Sequence, residues 1–272
     1  PVTLSREEHS ALELVEDYVL EGHRAGRQMN DNAVGFLMVT FQQLMASSLR
    51  ALARSLRRRR ARLAAGVPTA MKATAMEERI VDEDGTVEEV ADATTALAGE
   101  LEHLDELIEV LEGIPTDSKA EALVANLRTL FEDDPDGKVL VFTQFRDTQD
   151  YLAERLAAEG WGVHTFHGQK SPIEKDRAVD GFRRGRGPQI LVSTEAGGEG
   201  RNFQFCHVLV NYDLPWNPMR VEQRIGRIDR IGQTETVKIF NLYAVGTIEE
   251  RILEILERRI DAFERTIGGL DP

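Results

Sequence analysis

Residues 138–142 read Lys-Val-Leu-Val-Phe, and this short stretch decides the fold class. Four consecutive apolar residues are typical of a β-strand that is buried on both faces, because a half-exposed strand alternates apolar and polar residues. A turn cluster at 133–137 precedes the stretch, and the polar residues Thr143 and Gln144 follow it. The stretch therefore predicts a strand in the interior of a parallel sheet.

The segments around this strand alternate between helix and strand patterns. The predicted helices cover about 118–131, 146–159, 171–183, 219–228 and 247–267, and the further strands cover 162–167, 189–193, 207–212 and 237–243. Strands that alternate with helices of this length imply right-handed βαβ units, with helices on both faces of the sheet. Ligands of such sheets bind at the carboxyl ends of the strands, so we expect the functional motifs there.

The first 116 residues carry a different pattern, which is mainly helical. Ser5 and Glu8 have the spacing of a capping box, and a second helical stretch runs from about Asn32 to Arg62. Residues 66–95 are mixed and acidic and predict a loop, and residues 96–112 are helical again. We therefore divide the chain into a helical region, 1–116, and an α/β domain, 117–272.

The composition excludes several classes of protein. A single cysteine, Cys206, rules out an internal disulfide and a cysteine-based zinc site, and we expect no metal site in this chain. The absence of a long apolar run predicts no membrane span, and the first residues do not resemble a secretory signal. We therefore expect an intracellular, cytoplasmic protein.

The charge is uneven along the chain. The net charge is −14, which disfavours nucleic-acid binding, since phosphate affinity comes from Lys and Arg. However, residues 50–62 carry seven Arg and no acid, whereas residues 82–109 carry eleven acids and no Lys or Arg. The arginine run is either a DNA contact or the solvated face of a helix, and the sequence leaves both interpretations open.

The most specific motif is Gln-Arg-Ile-Gly-Arg-Ile-Asp-Arg at 223–230, followed by Ile-Gly-Gln. Its arginines, Arg224, Arg227 and Arg230, recur every third residue and would share one side of a helix. Gly226 would cost about 1 kcal/mol in a helix interior, so a close approach there is expected. Arginine suits the stabilisation of a transferring phosphoryl group, because it is always charged and offers a planar fork of donors.

Polar and glycine-rich segments follow the other strands. Residues 193–203 contain Gly197, Gly198 and Gly200, which either expose backbone N–H groups to a ligand or form an ordinary turn. His167 follows one strand, and Ser171 has the spacing of a capping box with Glu174. Residues 213–218, Asp-Leu-Pro-Trp-Asn-Pro, predict a rigid loop whose Trp216 either fills the core or faces a partner.

Taken in order, these motifs resemble those of superfamily-two helicases. Residues 138–145 resemble motif IV, residues 193–203 motif V and residues 223–230 motif VI, and the strings at 213–218 and 229–233 are similar to the Swi/Snf branch. The bacterial RapA-like branch is the most similar. The resemblance covers about residues 118–260 and implies a RecA-like lobe. Residues 1–116 resemble the helical segments that Swi/Snf-like ATPases insert between their two lobes.

The resemblance implies roles for individual residues. Arg227 and Arg230 would be the arginine fingers, whereas Gln223, Arg224, Gly200 and Asn202 would lie against the nucleotide. Contacts to a nucleic-acid strand would come from Thr143, Gln144, His167, Gly168 and Thr194. Glu195 stands where many Swi/Snf proteins have Arg, which puts a phosphate contact at that position in doubt.

The chain lacks the motifs that bind most of an ATP molecule. Neither a G-x-x-x-x-G-K-[ST] phosphate loop nor an Asp-Glu pair after an apolar strand occurs. ATP and Mg²⁺ would therefore be bound mainly by a first lobe of the parent protein, and this chain alone would be inactive. The expected function is ATP-driven movement on double-stranded DNA. The alternatives are a non-catalytic docking module and an RNA-polymerase-associated recycling ATPase.

Overall fold

A computed structural model of the chain describes residues 1–29, 32–65, 99–194, 202–215, 218–229, 233 and 235–267. The helices are α1 Arg6–Met29, α2 Asn32–Ser47, α3 Leu49–Ala64, α4 Glu100–Gly113, α5 Ser118–Asp133, α6 Arg146–Ala157, α7 Pro172–Arg184, α8 Pro218–Ile225 and α9 Ile248–Ile267. The strands are β1 Lys138–Thr143, β2 Gly162–Phe166, β3 Gln189–Thr194, β4 Val208–Asn211 and β5 Lys238–Asn241. In the described part of the chain, no helix is both long and apolar enough to span a bilayer.

The strands form one parallel sheet in the order β2-β3-β1-β4-β5, with β1 in the middle. Val139 and Val141 of β1 face α5 and α6, whereas Leu140 and Phe142 face α7 on the other side. All four side chains are at most 2% exposed. The sequence prediction of a strand buried on both faces of a parallel α/β sheet is therefore confirmed.

The helices α1 to α4 pack around a hydrophobic core of their own. Its largest side chains include Tyr18, Phe41 and Leu52. At the centre of this helical region lies a buried ion pair: the Arg59 side chain donates through Nη2 to Glu100 at 2.9 Å, and Tyr18 donates its hydroxyl to the same carboxylate at 2.7 Å. A charge buried this deeply requires such partners, because it has lost its hydration.

One predicted helix is two helices in the structure. The stretch expected from Asn32 to Arg62 breaks at Ser48, whose φ of −158° and ψ of 125° are extended. Its hydroxyl oxygen accepts a hydrogen bond from the N–H of Ala51 at 3.3 Å, and the same hydroxyl donates to Asp117 at 3.0 Å. Apolar spacing alone could not show this break, because a serine can cap a helix or continue one.

The capping predictions are confirmed. Ser5 and Glu8 exchange side-chain and backbone hydrogen bonds of 2.6 and 3.1 Å at the start of α1. Ser171 and Glu174 form a complete capping box ahead of α7, and Asp117 caps α5. The predicted acidic loop at 66–95 lies outside the described residues.

The arginine run fits neither sequence interpretation as a whole, because most of its side chains pair within the protein. Arg57, Arg59 and Arg60 reach acids of α4, whereas Arg54 and Arg58 reach Glu154 and Asp147 of α6. The run therefore fastens α3 both to its helical neighbour and to the α/β domain. The domain division near residue 116 stays a prediction.

Replacement of Glu100 by Ala should lower the free energy of unfolding by about 3–5 kcal/mol, because it leaves the Arg59 guanidinium buried without its carboxylate. Equilibrium urea unfolding measures the change. Asp105→Ala is the matched control, since it removes the partner of Arg60 on the same pair of helices at the surface. It should have little effect. Equal losses in the two variants would contradict the assignment of Glu100 as a buried anchor.

Candidate functional site at the carboxyl edge of the sheet

Polar residues end four neighbouring strands at one edge of the sheet. The parallel register aligns Thr143 with Thr194, and Asn211 with Asn241. The side chain of Asn211 donates to that of Asn241 at 2.8 Å. The edge therefore carries the row of polar groups that the sequence placed at the carboxyl ends of the strands.

Asp213, just beyond β4, is the centre of this edge. Its carboxylate is buried and accepts hydrogen bonds from the Thr143 hydroxyl at 2.8 Å, the Gln144 N–H at 3.2 Å and the Ser47 hydroxyl at 2.6 Å. Thr143 was expected to contact a nucleic-acid strand, but its side chain is fully buried and binds Asp213. It thus supports the edge from inside, whereas Gln144 stays half-exposed.

Arg224 is buried as well. One of its Nη atoms donates to the Asn211 side chain at 2.9 Å and to the carbonyl oxygen of Asp213 at 2.8 Å. Its guanidinium lies 5.3 Å from the centre of the Phe142 ring. Arg224 was expected to support a nucleotide; in the structure its side chain fixes α8 to the edge of the sheet.

The helix that carries the arginine motif is shorter than predicted. It ends at Ile225, so Gly226 lies beyond the last helical residue and Arg227 lies in the turn that follows. A Cβ at Gly226 would come no closer than 3.4 Å to its nearest neighbour, the Glu222 carbonyl oxygen. Among the described residues, no neighbour therefore requires a glycine there, and the expected close approach at Gly226 stays a prediction.

The structure joins the two motif segments that the resemblance assigned to the nucleotide. The N–H of Phe203 donates to the carbonyl oxygen of Arg227 at 2.9 Å. Arg227 is half-buried, whereas Asn202 and Gln223 are exposed. Asn202 turns back on its own segment and accepts the Gln204 N–H at 2.9 Å. Gly200, Arg230 and Trp216 lie outside the described residues.

Gln233 reinforces this junction. Its side-chain amide donates to the carbonyl oxygens of Ile228 and Gln204, at 3.0 and 3.1 Å. One side chain thus ties the end of the arginine motif to the segment that begins at Asn202. The backbone around Arg227 is therefore held from both sides.

His167 and Gly168 follow β2 and are half-buried. Burial, together with the cations of Arg146, Lys170 and Lys175, lowers the pKa of His167 to about 4. At neutral pH this imidazole is therefore uncharged, and it can both donate and accept a hydrogen bond. Thr194, at the end of β3, is 6% exposed and borders residues outside the described part of the chain.

Arg146, Lys170 and Lys175, which we call the basic rim, were not singled out from the sequence. Arg146 begins α6 and donates to Gln169 at 2.5 Å, and Lys170 donates to the Thr165 carbonyl at 2.6 Å. The available signal was their position, since Arg146 and Lys170 follow β1 and β2 by a few residues and Lys175 lies near the start of α7. An acidic protein thus concentrates positive charge beside His167.

The metal prediction was that the chain holds no ion. Within the described ranges, no group of three or more His, Cys, Asp or Glu residues is placed to hold a metal ion. Burial raises the pKa of the Cys206 thiol to about 11, so it stays protonated.

A five-stranded parallel sheet with helices on both faces and polar groups at its carboxyl edge defines the class of RecA-like α/β domains. Residues 118–232 match the family described as helicase conserved C-terminal domain. This part of the chain is therefore similar to helicase C-terminal domains.

Two relatives are of the type that the motifs indicated. The chain is 45% identical over 165 residues to a protein of Bacillus subtilis (strain 168) described as the uncharacterized ATP-dependent helicase YqhH; the alignment covers 61% of this chain. It is 46% identical over 131 residues, 47% of this chain, to the RNA polymerase-associated protein RapA of Proteus mirabilis (strain HI4320). The aligned parts span only 28% and 14% of those relatives.

Solved structures share the fold. The C-terminal part of the Fun30 ATPase domain superposes with a TM-score of 0.55 at 23% identity, over 94% of this chain and 86% of that one. The Hef helicase domain of Pyrococcus furiosus gives a TM-score of 0.60 at 19% identity, over 93% of this chain and 56% of that one. The predicted RecA-like fold is confirmed.

Replacement of His167 by Gln should make the free energy of unfolding less dependent on pH between about pH 6.5 and pH 4. Between about pH 6.5 and pH 4 the unfolded chain binds a proton at this imidazole that the folded chain does not, so the free energy of unfolding of the wild type falls as the pH falls. The variant lacks this loss. Urea unfolding across this range, with an NMR titration of the imidazole, measures it; an imidazole that titrates above pH 6 in the folded chain contradicts the prediction.

Proposed function

We propose that this chain is the C-terminal motor lobe of an ATP-dependent translocase that moves on double-stranded DNA. The observation that carries the proposal is the hydrogen-bonded junction of the Asn202 and Arg227 segments beside the polar edge of the sheet. Both segments resemble nucleotide-facing motifs, and one relative is described as an ATP-dependent helicase. The first lobe, with its phosphate loop, would belong to another part of the parent protein.

In this proposal Arg227 approaches the γ-phosphate of an ATP molecule that the first lobe holds. Its guanidinium stabilises the charge that develops on the transferring phosphoryl group. Arg230, three residues further along the same motif, is its proposed companion, and Asn202 and Gln223 offer exposed polar groups to the nucleotide. The ligands of Mg²⁺ are assigned to the first lobe, because the described residues contain no cluster that fits the ion.

The nucleic-acid contact is proposed at the ends of β1 and β2. Gln144, His167 and Gly168 present half-exposed polar groups there, next to the basic rim. Phosphate contacts of this kind hold a strand without reading its sequence, as a translocase requires. Opening and closing of the two lobes during ATP turnover would move this grip along one strand.

A second candidate is an ATPase that acts on RNA polymerase. It is favoured by the 46% identity to a protein named as RNA polymerase-associated. This candidate keeps the same motor and changes its protein partner. Co-purification of the parent protein with RNA polymerase would distinguish it from a translocase that works on free DNA.

Replacement of Arg227 by Ala should lower the DNA-stimulated kcat for ATP hydrolysis by roughly 10³-fold or more, because the charge of the transition state loses its arginine. The measurement uses the parent protein with its proposed first lobe, and this chain alone should show no turnover. Arg258→Ala is the matched control, since that arginine is exposed on α9. It should keep the full rate.

A parent protein that hydrolyses no ATP with any nucleic acid would contradict the motor proposal. So would an Arg227→Ala variant at full rate. Either outcome favours a docking module, in which a RecA-like lobe binds a partner without turnover.

Replacement of Lys175 by Gln should weaken DNA binding and reduce the slope of log K against log salt by about 1, because one phosphate contact is lost. Fluorescence anisotropy with a labelled duplex at several salt concentrations measures the slope. Arg128→Gln is the control, because that exposed side chain pairs with Glu159, which follows the C-terminal end of α6, whereas Arg146 of the rim begins that helix. An unchanged slope in Lys175→Gln would place the DNA elsewhere.

A further inference from the structure

The carboxylate of Asp213 connects the helical region to the α/β domain. Ser47, the last residue of α2, donates its hydroxyl to Asp213 Oδ2 at 2.6 Å across 166 residues of sequence. All the side chains of this contact are buried. Through this contact the helical region supplies a buried side chain, Ser47, to the polar edge of the sheet.

The direction of the hydrogen bonds can be assigned. A carboxylate only accepts, so the single proton of Ser47 points to Asp213. The Thr148 hydroxyl, 2.9 Å from the Ser47 hydroxyl, must therefore be the donor in that second contact. The hydroxyl oxygen of Ser47 thus links Thr148 of α6 to Asp213 in the loop after β4. The side chains of Ser47 and Thr148 are at most 1% exposed.

The backbone of Asp213 also contacts the arginine motif. Its carbonyl oxygen accepts from Arg224 at 2.8 Å, and Arg224 lies three residues before Arg227 on the same helix and turn. A change in the position of Asp213 therefore moves an acceptor on which the anchoring of α8 depends. The carboxylate also fixes the end of β1 through Thr143 and Gln144.

We propose that Asp213 is a positioning residue that couples the docking of α2 to the placement of α8 and Arg227, an inference that rests on the proposed function. When Ser47 is in place, the carboxylate has its full set of donors and the β4 loop is fixed. When α2 shifts, that donor is lost, the loop loosens and Arg227 is placed less well for phosphoryl transfer. Movement of the helical region thereby regulates the turnover of the motor.

The structural half of the proposal is tested on this 272-residue chain by hydrogen exchange of the amides of α8. Ser47→Ala should raise their exchange about fivefold, the factor that corresponds to one hydrogen bond of about 1 kcal/mol. Ser55→Ala is the matched control: Ser55 is fully buried in α3, and its hydroxyl has no hydrogen-bond partner in the described structure. It should leave the exchange of α8 unchanged.

The functional half is tested by ATP hydrolysis in the parent protein. Ser47→Ala should lower kcat about fivefold and change KM for ATP less than about twofold, because placement of Arg227 acts on the transition state and not on ATP binding. Asp213→Asn should cause a similar loss, since its amide presents a donor to the Gln144 N–H. Adding Ser47→Ala to Asp213→Asn should lower kcat by less than the product of the two single losses, because both changes act on the one side chain that fixes the β4 loop.

The outcomes separate the two proposals. Unchanged exchange of α8 in Ser47→Ala, or an equal rise in Ser55→Ala, overturns the coupling whatever the enzyme does. Equal losses in kcat for Ser47→Ala and Ser55→Ala also overturn it. A wild-type parent protein without ATPase activity overturns the proposed function, while the exchange measurement still decides whether Asp213 links α2 to α8. If Asp213→Asn fails to fold, the Ser47 and Ser55 variants decide alone.

Discussion

The burial of β1 on both faces is the constraint on which the rest of the structure depends. Because helices cover each side of this strand, the polar groups at its carboxyl end cannot rely on water and must find partners in the protein. Asp213 supplies them for Thr143 and Gln144. Hydrogen bonds therefore fix the polar edge where it meets the core, and its half-exposed groups include Gln144, His167 and Arg227.

Charge is organised locally in this protein, and its net value describes the edge poorly. The chain carries −14 overall, yet burial and the cations of the basic rim together lower the pKa of the neighbouring His167 to about 4. Most arginines of α3, by contrast, form ion pairs with acidic residues of α4 and α6. The arginine run thus serves mainly to hold the helical region together and against the α/β domain, while the three half-buried cations of the basic rim place positive charge beside His167.

Local signals were sufficient for most of the fold. The strands lie within a residue or two of their predicted bounds, and Ser5 and Ser171 cap the predicted helices, because apolar runs and capping boxes act over a few neighbouring residues. The break at Ser48 and the early end of α8 at Ile225 were missed. The Ser48 hydroxyl bonds to Asp117, 69 residues away, and the turn after Ile225 is held by contacts to Phe203 and Gln233.

The sequence by itself determined the parallel α/β class, the order of the motifs and the edge of the sheet at which they lie. These follow from the hydrophobic periodicity, the alternation of strands with helices and the spacing of neighbouring residues, which are local properties of the chain. Only the tertiary structure decided what the polar residues do there. Thr143 and Arg224 are of types that bind phosphate, yet both are buried and bond within the protein. Whether a polar side chain contacts a ligand or other residues of the protein depends on its burial and on partners that are distant in the sequence. A single sequence does not show which distant residues come into contact.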